Sequence, residues 1–198
     1  VKFLFKTKDK EKNFWDWFQK NEQAYFTLKN EDHHTLFNKL AKQLSKVDEN
    51  LTFEFSYDLI EGKRDFIISA DGMVSSFSSV IHLVESAPDL PRFNLISFRQ
   101  KADGEQEIEY GDVSLTINDI FFDYEYDATH NVLDVDLYIK DYEENDEFVA
   151  AAFLMLDSLL GEYTVGTTLG DINFGTLVST HHLKSVSELE EVIKSTIL

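Results

Sequence analysis

Between Asn118 and Tyr142 the chain alternates apolar and polar positions twice over. Ile120, Phe122, Tyr124 and Tyr126 share one side with Asp119, Asp123, Glu125 and Asp127 on the other, the period of two that a half-buried strand requires. Leu133, Val135, Leu137 and Ile139 repeat it, opposed by Val132, Asp134, Asp136 and Tyr138, and Asp127-Ala128-Thr129-His130-Asn131 supplies turn residues between the two runs. The pattern predicts a hairpin with one face of carboxylates. If Asp127 pairs with Val132, Glu125 stands opposite Asp134 and Asp123 opposite Asp136, an arrangement that like charges disfavour. Water and salt must screen such a face, or a cation or a basic partner must cover it.

The pattern before this stretch is helical and then alternating. Asn13 is the expected N-cap of an aromatic helix reaching about Leu28, with Phe14, Trp17, Phe18 and Tyr25 near one face and Trp15 and Phe26 flanking it. A second helix, Asp32 to Val47, places Leu36, Phe37, Leu40, Ala41 and Leu44 inward. Leu51 to Tyr57 and Arg64 to Ala70 then read as strands joined across Glu61-Gly62-Lys63. A central helix from Met73 to Glu85 and a strand from Phe93 to Gln100 follow.

After a polar loop at Lys101 to Glu107, a short strand is expected at Ile108 to Tyr110 or at Ser114 to Ile117. Beyond the acidic hairpin, Asp146 to Leu160 is apolar nearly all round and predicts a buried helix with Gly161 at its end. Glu162 to Thr167 and Asp171 to Phe174 read as short strands, and Ser185 or Ser187 caps a terminal amphipathic helix. The whole predicts an α+β fold in a single domain, residues 1–198, with 1–12 a basic lead-in. In that fold a mainly antiparallel sheet is packed by two N-terminal helices, a central helix, a buried apolar helix and a C-terminal helix.

Charge sharpens the picture. Of a net −19, the segment from Asp103 to Glu147 carries −15, with 16 acidic residues against Lys140, whereas the first 50 residues are net +2. Such a face repels nucleic-acid phosphate and suits a basic protein. The absence of cysteine excludes disulfides and thiolate metal sites. The longest apolar run, Phe148 to Leu156, is nine residues, short of the ~20 that span a bilayer, and no signal-peptide pattern opens the chain. A soluble, cytoplasmic protein that makes no membrane contact is the expectation.

Candidate chemistry is sparse. Gly-x-Ser-x-Gly, Walker and Gly-x-Gly-x-x-Gly motifs are missing, so no cofactor is expected. The six histidines show no chelating spacing, which leaves Asp127 and His130 as weak candidates for a cation site and no metal as the expectation. Asp157 is the one charge in an apolar helix. It is expected to be a structural buried charge partnered by Arg99, Arg92 or Lys184, with a catalytic acid as the sharper alternative.

Asn13-Phe14-Trp15-Asp16-Trp17-Phe18, Leu51-Thr52-Phe53-Glu54-Phe55, Ile68-Ser69-Ala70-Asp71-Gly72, Ala87-Pro88-Asp89-Leu90-Pro91 and Leu156-Asp157 with Leu160-Gly161-Glu162-Tyr163 together resemble a group of small acidic bacterial proteins that carry no assigned activity. The resemblance implies a self-contained bacterial domain with Asp157 and Glu162 worth testing, and it transfers no catalytic residue. Two functions follow as expectations. The first is a protein-binding module that turns Asp123, Glu125, Asp134 and Asp136 toward a basic partner, as an immunity protein or inhibitor does. The second is a hydrolase or divalent-metal enzyme using the acids.

Overall fold

A computed structural model describes residues 9–103 and 107–197. Residues 1–8 of the basic lead-in and 104–106 of the polar loop lie outside the described residues. The fold is α+β, and the chain divides into two compact units, Val1–Phe98 and Arg99–Leu198, each with a hydrophobic core of its own.

In the first unit, α1 (Lys10–Thr27) starts ahead of Asn13 because Asp9 takes the capping role, its carboxylate accepting the Lys12 amide at 3.1 Å. Lysine and glutamate are good helix formers, so nothing in Lys10 to Lys12 delays the start. Helix α2 (His33–Leu44) follows a single 3₁₀ turn at Asn30–Asp32. Strands β1 (Thr52–Phe55) and β2 (Arg64–Ser69) pair antiparallel, with Phe55 opposite Phe66. Helix α3 (Phe77–Glu85) then carries the chain over to β3 (Phe93–Ser97), which lies parallel to β2, as a helical crossover permits and a tight turn does not.

The aromatic cluster is core. Phe14, Phe18, Tyr25, Phe66 and Phe93 are buried, and the Phe18 ring stacks on Phe66 at 5.0 Å. Trp15, expected at the flank, is buried while Trp17 is only half-buried. The reason is polar: the Trp15 indole donates to the Leu83 carbonyl at 2.8 Å, a partner on α3 that helical periodicity cannot reveal. Burial pushes the Tyr25 phenol up to about 12, and its hydroxyl donates to the Leu36 carbonyl. Arg64 is buried, and among the described residues no carboxylate pairs with it. Its guanidinium donates to the carbonyls of Phe26, Ser56 and Tyr57, closing the C-terminus of α1 where the helix dipole favours a cation.

In the second unit both of the alternative short strands form, as a hairpin of β4 (Glu107–Tyr110) and β5 (Val113–Thr116). The acidic hairpin is β6 (Ile120–Asp127) and β7 (Val132–Ile139). Helix α4 (Asp146–Leu160) starts on an Asn145 cap, whose side chain accepts the Phe148 amide at 3.0 Å. It leads into α5 (Glu162–Thr168), and β8 (Leu169–Thr176) then returns parallel to β7. Strand β9 (Lys184–Ser185) joins the far side of β6, giving a four-stranded sheet of order β8-β7-β6-β9. Helix α6 (Leu189–Thr196) closes the unit behind a capping box built on Ser185 and Glu188.

Helix α5 corrects the strand expected at Glu162 to Thr167. Its β-branched content suggested extended backbone, but the Thr167 and Thr168 hydroxyls donate to the carbonyls of Tyr163 and Thr164, four residues back, at 2.7 Å each. Those bonds satisfy the hydroxyls without favouring the helix; what overrides the local preference is tertiary burial of Glu162, Val165 and Thr168. Gly161, at φ +83, breaks α4 from α5 in a conformation that favours glycine.

The core of the second unit takes Ile120 and Phe122 from β6 and Leu133, Val135, Leu137 and Ile139 from β7. All are essentially inaccessible, each worth roughly 1.5–3 kcal/mol of burial. Ala151, Ala152, Met155 and Leu156 of α4 join the same core. Among the described residues no single helix is long and apolar enough to cross a membrane.

Candidate functional site

The hairpin adopts the register in which acid faces acid. Asp127 pairs with Val132, Glu125 with Asp134, and Asp123 with Asp136. Because side chains alternate across a strand, burying Phe122, Val135 and Leu137 forces these carboxylates onto the opposite face. No lysine or arginine occurs from Ala102 to Ile139. Among the described residues, none of Asp123, Glu125, Asp134 and Asp136 forms an ion pair.

The four acids are not equivalent. Strand β8, lying beside β7, brings donors to two of them. The parallel register shifts between Leu133 and Val135, and at that irregularity the Asp171 amide donates to Asp134 Oδ1 at 2.8 Å. Asn173, paired with Asp136, donates its side-chain amide to Asp136 Oδ1 at 2.9 Å. Gly170 is part of the same arrangement, because a Cβ there would run into Asp134 Oδ1 and reach within 2.8 Å of Val132 Cγ2. On β6, Asp123 turns onto the Tyr124 amide at 2.9 Å, and Glu125 stands exposed. Part of the repulsion is therefore offset inside the fold by neutral donors, and Asp123 and Glu125 are left facing outward.

Asp127 and His130 meet in the turn. Asp127 Oδ1 accepts the amides of Thr129 and His130 at 2.7 and 3.2 Å, and Oδ2 takes His130 Nδ1 at 2.5 Å. The His130 ring and the Thr129 amide hold the Asp127 carboxyl below its usual range. In return the Asp127 carboxylate raises the imidazole, with a smaller contribution from Asp134. The pair closes the loop on itself. Among the described residues no group of three or more His, Asp or Glu side chains is placed to hold a metal ion.

A second acidic feature was not visible in the sequence. A cavity of about 480 Å³ is lined by Asp112, Asp119, Asp141, Glu143 and Glu147, with Lys140 among them. Its walls come from β5 with the residue before it, from Asp119 just ahead of β6, and from the loop and first turn that open α4, segments whose separation in the chain hides their convergence. The only signal was the acidic run from Asp141 to Glu147. Asp119 is spoken for: burial opposes its ionisation, but the Thr116 hydroxyl and amide, at 2.6 and 2.9 Å, together with Lys140 keep its carboxyl below the ordinary range. Glu147 lies over the β4–β5 turn and accepts the Asp112 amide at 3.3 Å.

Asp157 and Glu162 lie where α4 meets α5, both buried. Of the three cations named for Asp157, Arg99 reaches it, Nη1 to Oδ2 at 3.2 Å. Glu162 accepts the Arg99 amide at 3.1 Å and returns its own amide to the Arg99 carbonyl at 3.0 Å, while the Ala102 amide donates to Ser158 at 2.8 Å. The segment from Arg99 to Ala102 is thus bonded to the end of α4 and the start of α5, both carboxylates taking part.

Comparison with protein-family models returns no match, and comparison with curated proteins returns none either.

Proposed function

We propose that the second unit is a protein-binding module that presents the β6–β7 acidic face to a basic partner, in the manner of an inhibitor that occludes a cationic active site. One observation carries this reading: four carboxylates occupy directly opposed positions on an accessible sheet face, in a stretch of chain with no lysine or arginine to neutralise them. Opposed like charges destabilise a sheet, so the arrangement costs the isolated protein stability that a cationic surface would restore on binding. Asp123 and Glu125, which receive nothing from β8, are the residues a partner would meet first. Asp134 and Asp136 lie beside them on β7 with one donor each.

Charge complementarity of this kind accelerates encounter and selects the partner more than it deepens affinity, and it weakens steeply with salt. The test is binding to a panel of small basic proteins, with polylysine as reference, at about 50 and about 500 mM NaCl, where the Debye length falls from roughly 14 to roughly 4 Å. Affinity is expected to drop at least tenfold with salt, and equally in an Asp123→Asn, Glu125→Gln variant. Association indifferent to both salt and the substitutions would overturn the proposal.

A further inference from the structure

The four-stranded sheet has an unfinished side. Among the described residues strand β9 covers β6 at two positions, Phe121 opposite Ser185 and Phe122 opposite Lys184. Just before it His182 takes a left-handed conformation, φ +73, and the Leu183 amide closes a turn on the Thr180 carbonyl at 3.1 Å. That turn carries the chain off the line of the strand. Among the described residues, Asp123 to Asp127 pair with β7 alone. In an antiparallel ladder alternate residues turn their amide and carbonyl away from the partner strand. Phe122 is the last such residue that β9 engages. Tyr124, whose amide is taken by the Asp123 side chain rather than by a strand, and Tyr126 follow it.

We infer that this open edge of β6, Asp123 to Asp127, accepts an extended basic segment of the partner as an additional strand, in the place β9 would occupy if it ran on. The inference rests on the acidic-face reading and gives it a geometry. A strand laid here sets alternate side chains beside Asp123 and Glu125, which calls for lysine or arginine. The intervening ones fall beside Tyr124 and Tyr126, the latter 40% exposed, which calls for apolar or aromatic residues. A second copy of this chain is the wrong occupant, because pairing β6 with itself places the carboxylates of Asp123, Glu125 and Asp127 against their own kind. The opposite edge, β8, is poorer in charge: Asp171 is its one acid, and glycines stand at 170 and 175.

Main-chain pairing and charge attraction separate in one experiment on the whole chain. The probe is a capped peptide of about six residues alternating lysine and valine, compared with a copy N-methylated at every valine, which keeps every charge and loses the amide donors on one edge. At about 50 mM NaCl the unmethylated peptide is expected to bind at least tenfold tighter, to slow hydrogen exchange at the Tyr126 amide, and to lose affinity in the Asp123→Asn, Glu125→Gln variant. Equal affinity for both peptides, still lost on neutralising the acids, would overturn strand addition and leave the acidic-face reading standing. No binding of either peptide at low salt would overturn both.

Discussion

Glu125 and Asp134 face each other across β6 and β7, yet removing one or the other should move stability in opposite directions. Their carboxylates stand about 5 Å apart, if side chains on opposed positions keep the usual cross-strand spacing. In a medium with the dielectric of water that repulsion is about 0.8 kcal/mol. Glu125→Gln deletes it and should raise stability by up to that amount. Asp134→Ala deletes the same repulsion but also strips the acceptor from the Asp171 amide, which now bonds to it at 2.8 Å. A hydrogen bond to a charged group contributes about 1.5–3 kcal/mol, and at an accessible edge the lower figure applies. Asp134→Ala should therefore cost about 0.7 kcal/mol net. The gap between the two variants, about 1.5 kcal/mol, is the contribution of the bond itself, since the repulsion cancels in the comparison. Urea unfolding at pH 7 resolves it: with a slope of roughly 1–3 kcal/mol/M the two midpoints should lie about 0.5–1.5 M apart, with wild type between them. In about 1 M NaCl the Glu125→Gln gain should vanish and the Asp134→Ala loss deepen. Two variants that both stabilise, by the same amount, would refute the claim that β8 turns Asp134 into a structural acceptor.

Gly170→Ala should cost about 1–3 kcal/mol, because the new methyl displaces the Asp134 carboxylate. The cost should shrink by at least about 0.5 kcal/mol in an Asp134→Ala background, measured as a double-mutant cycle in urea. Arg64→Met leaves the carbonyls of Phe26, Ser56 and Tyr57 without their donor and should cost about 3 kcal/mol by the same assay, whereas a surface lysine such as Lys39 changed to Met should be nearly silent. NMR titration should place His130 above 6.5, with Asp127→Asn returning it toward that value. The sign follows from linkage: the raised imidazole supports the turn fully below about pH 6.5 and loses that support as pH rises through its folded-state value. The depressed Asp127 supports it above about pH 4 and loses that support on acidification. Protection of the Thr129 and His130 amides from exchange, taken relative to their intrinsic rates at each pH, should accordingly be greatest between those limits.

Local pattern was enough wherever a segment's own period dictates which side is buried. The β6–β7 hairpin, its four-residue loop and its acid-on-acid register were legible because shifting a strand by one residue would expose Leu133, Val135, Leu137 and Ile139 together, a penalty no alternative repays. Helix α4 was legible from its apolar run, about Asp146 to Leu160, with Gly161 as its stop, while the Asn145 cap came from the structure. What only the tertiary structure decided is what comes to lie beside what. Asp171 and Asn173 are separated from their acceptors Asp134 and Asp136 by 37 residues, and only the crossover through α4 and α5 lays β8 against β7. The same holds for Trp15 on the Leu83 carbonyl and for the acidic cavity assembled from three segments. Composition misled at Glu162 to Thr167, where burial of Glu162, Val165 and Thr168 holds residues that prefer strands in a helix. A side chain's period is a property of its neighbours in the chain. Its partner is a property of where long-range burial sends the backbone, and no periodicity carries that.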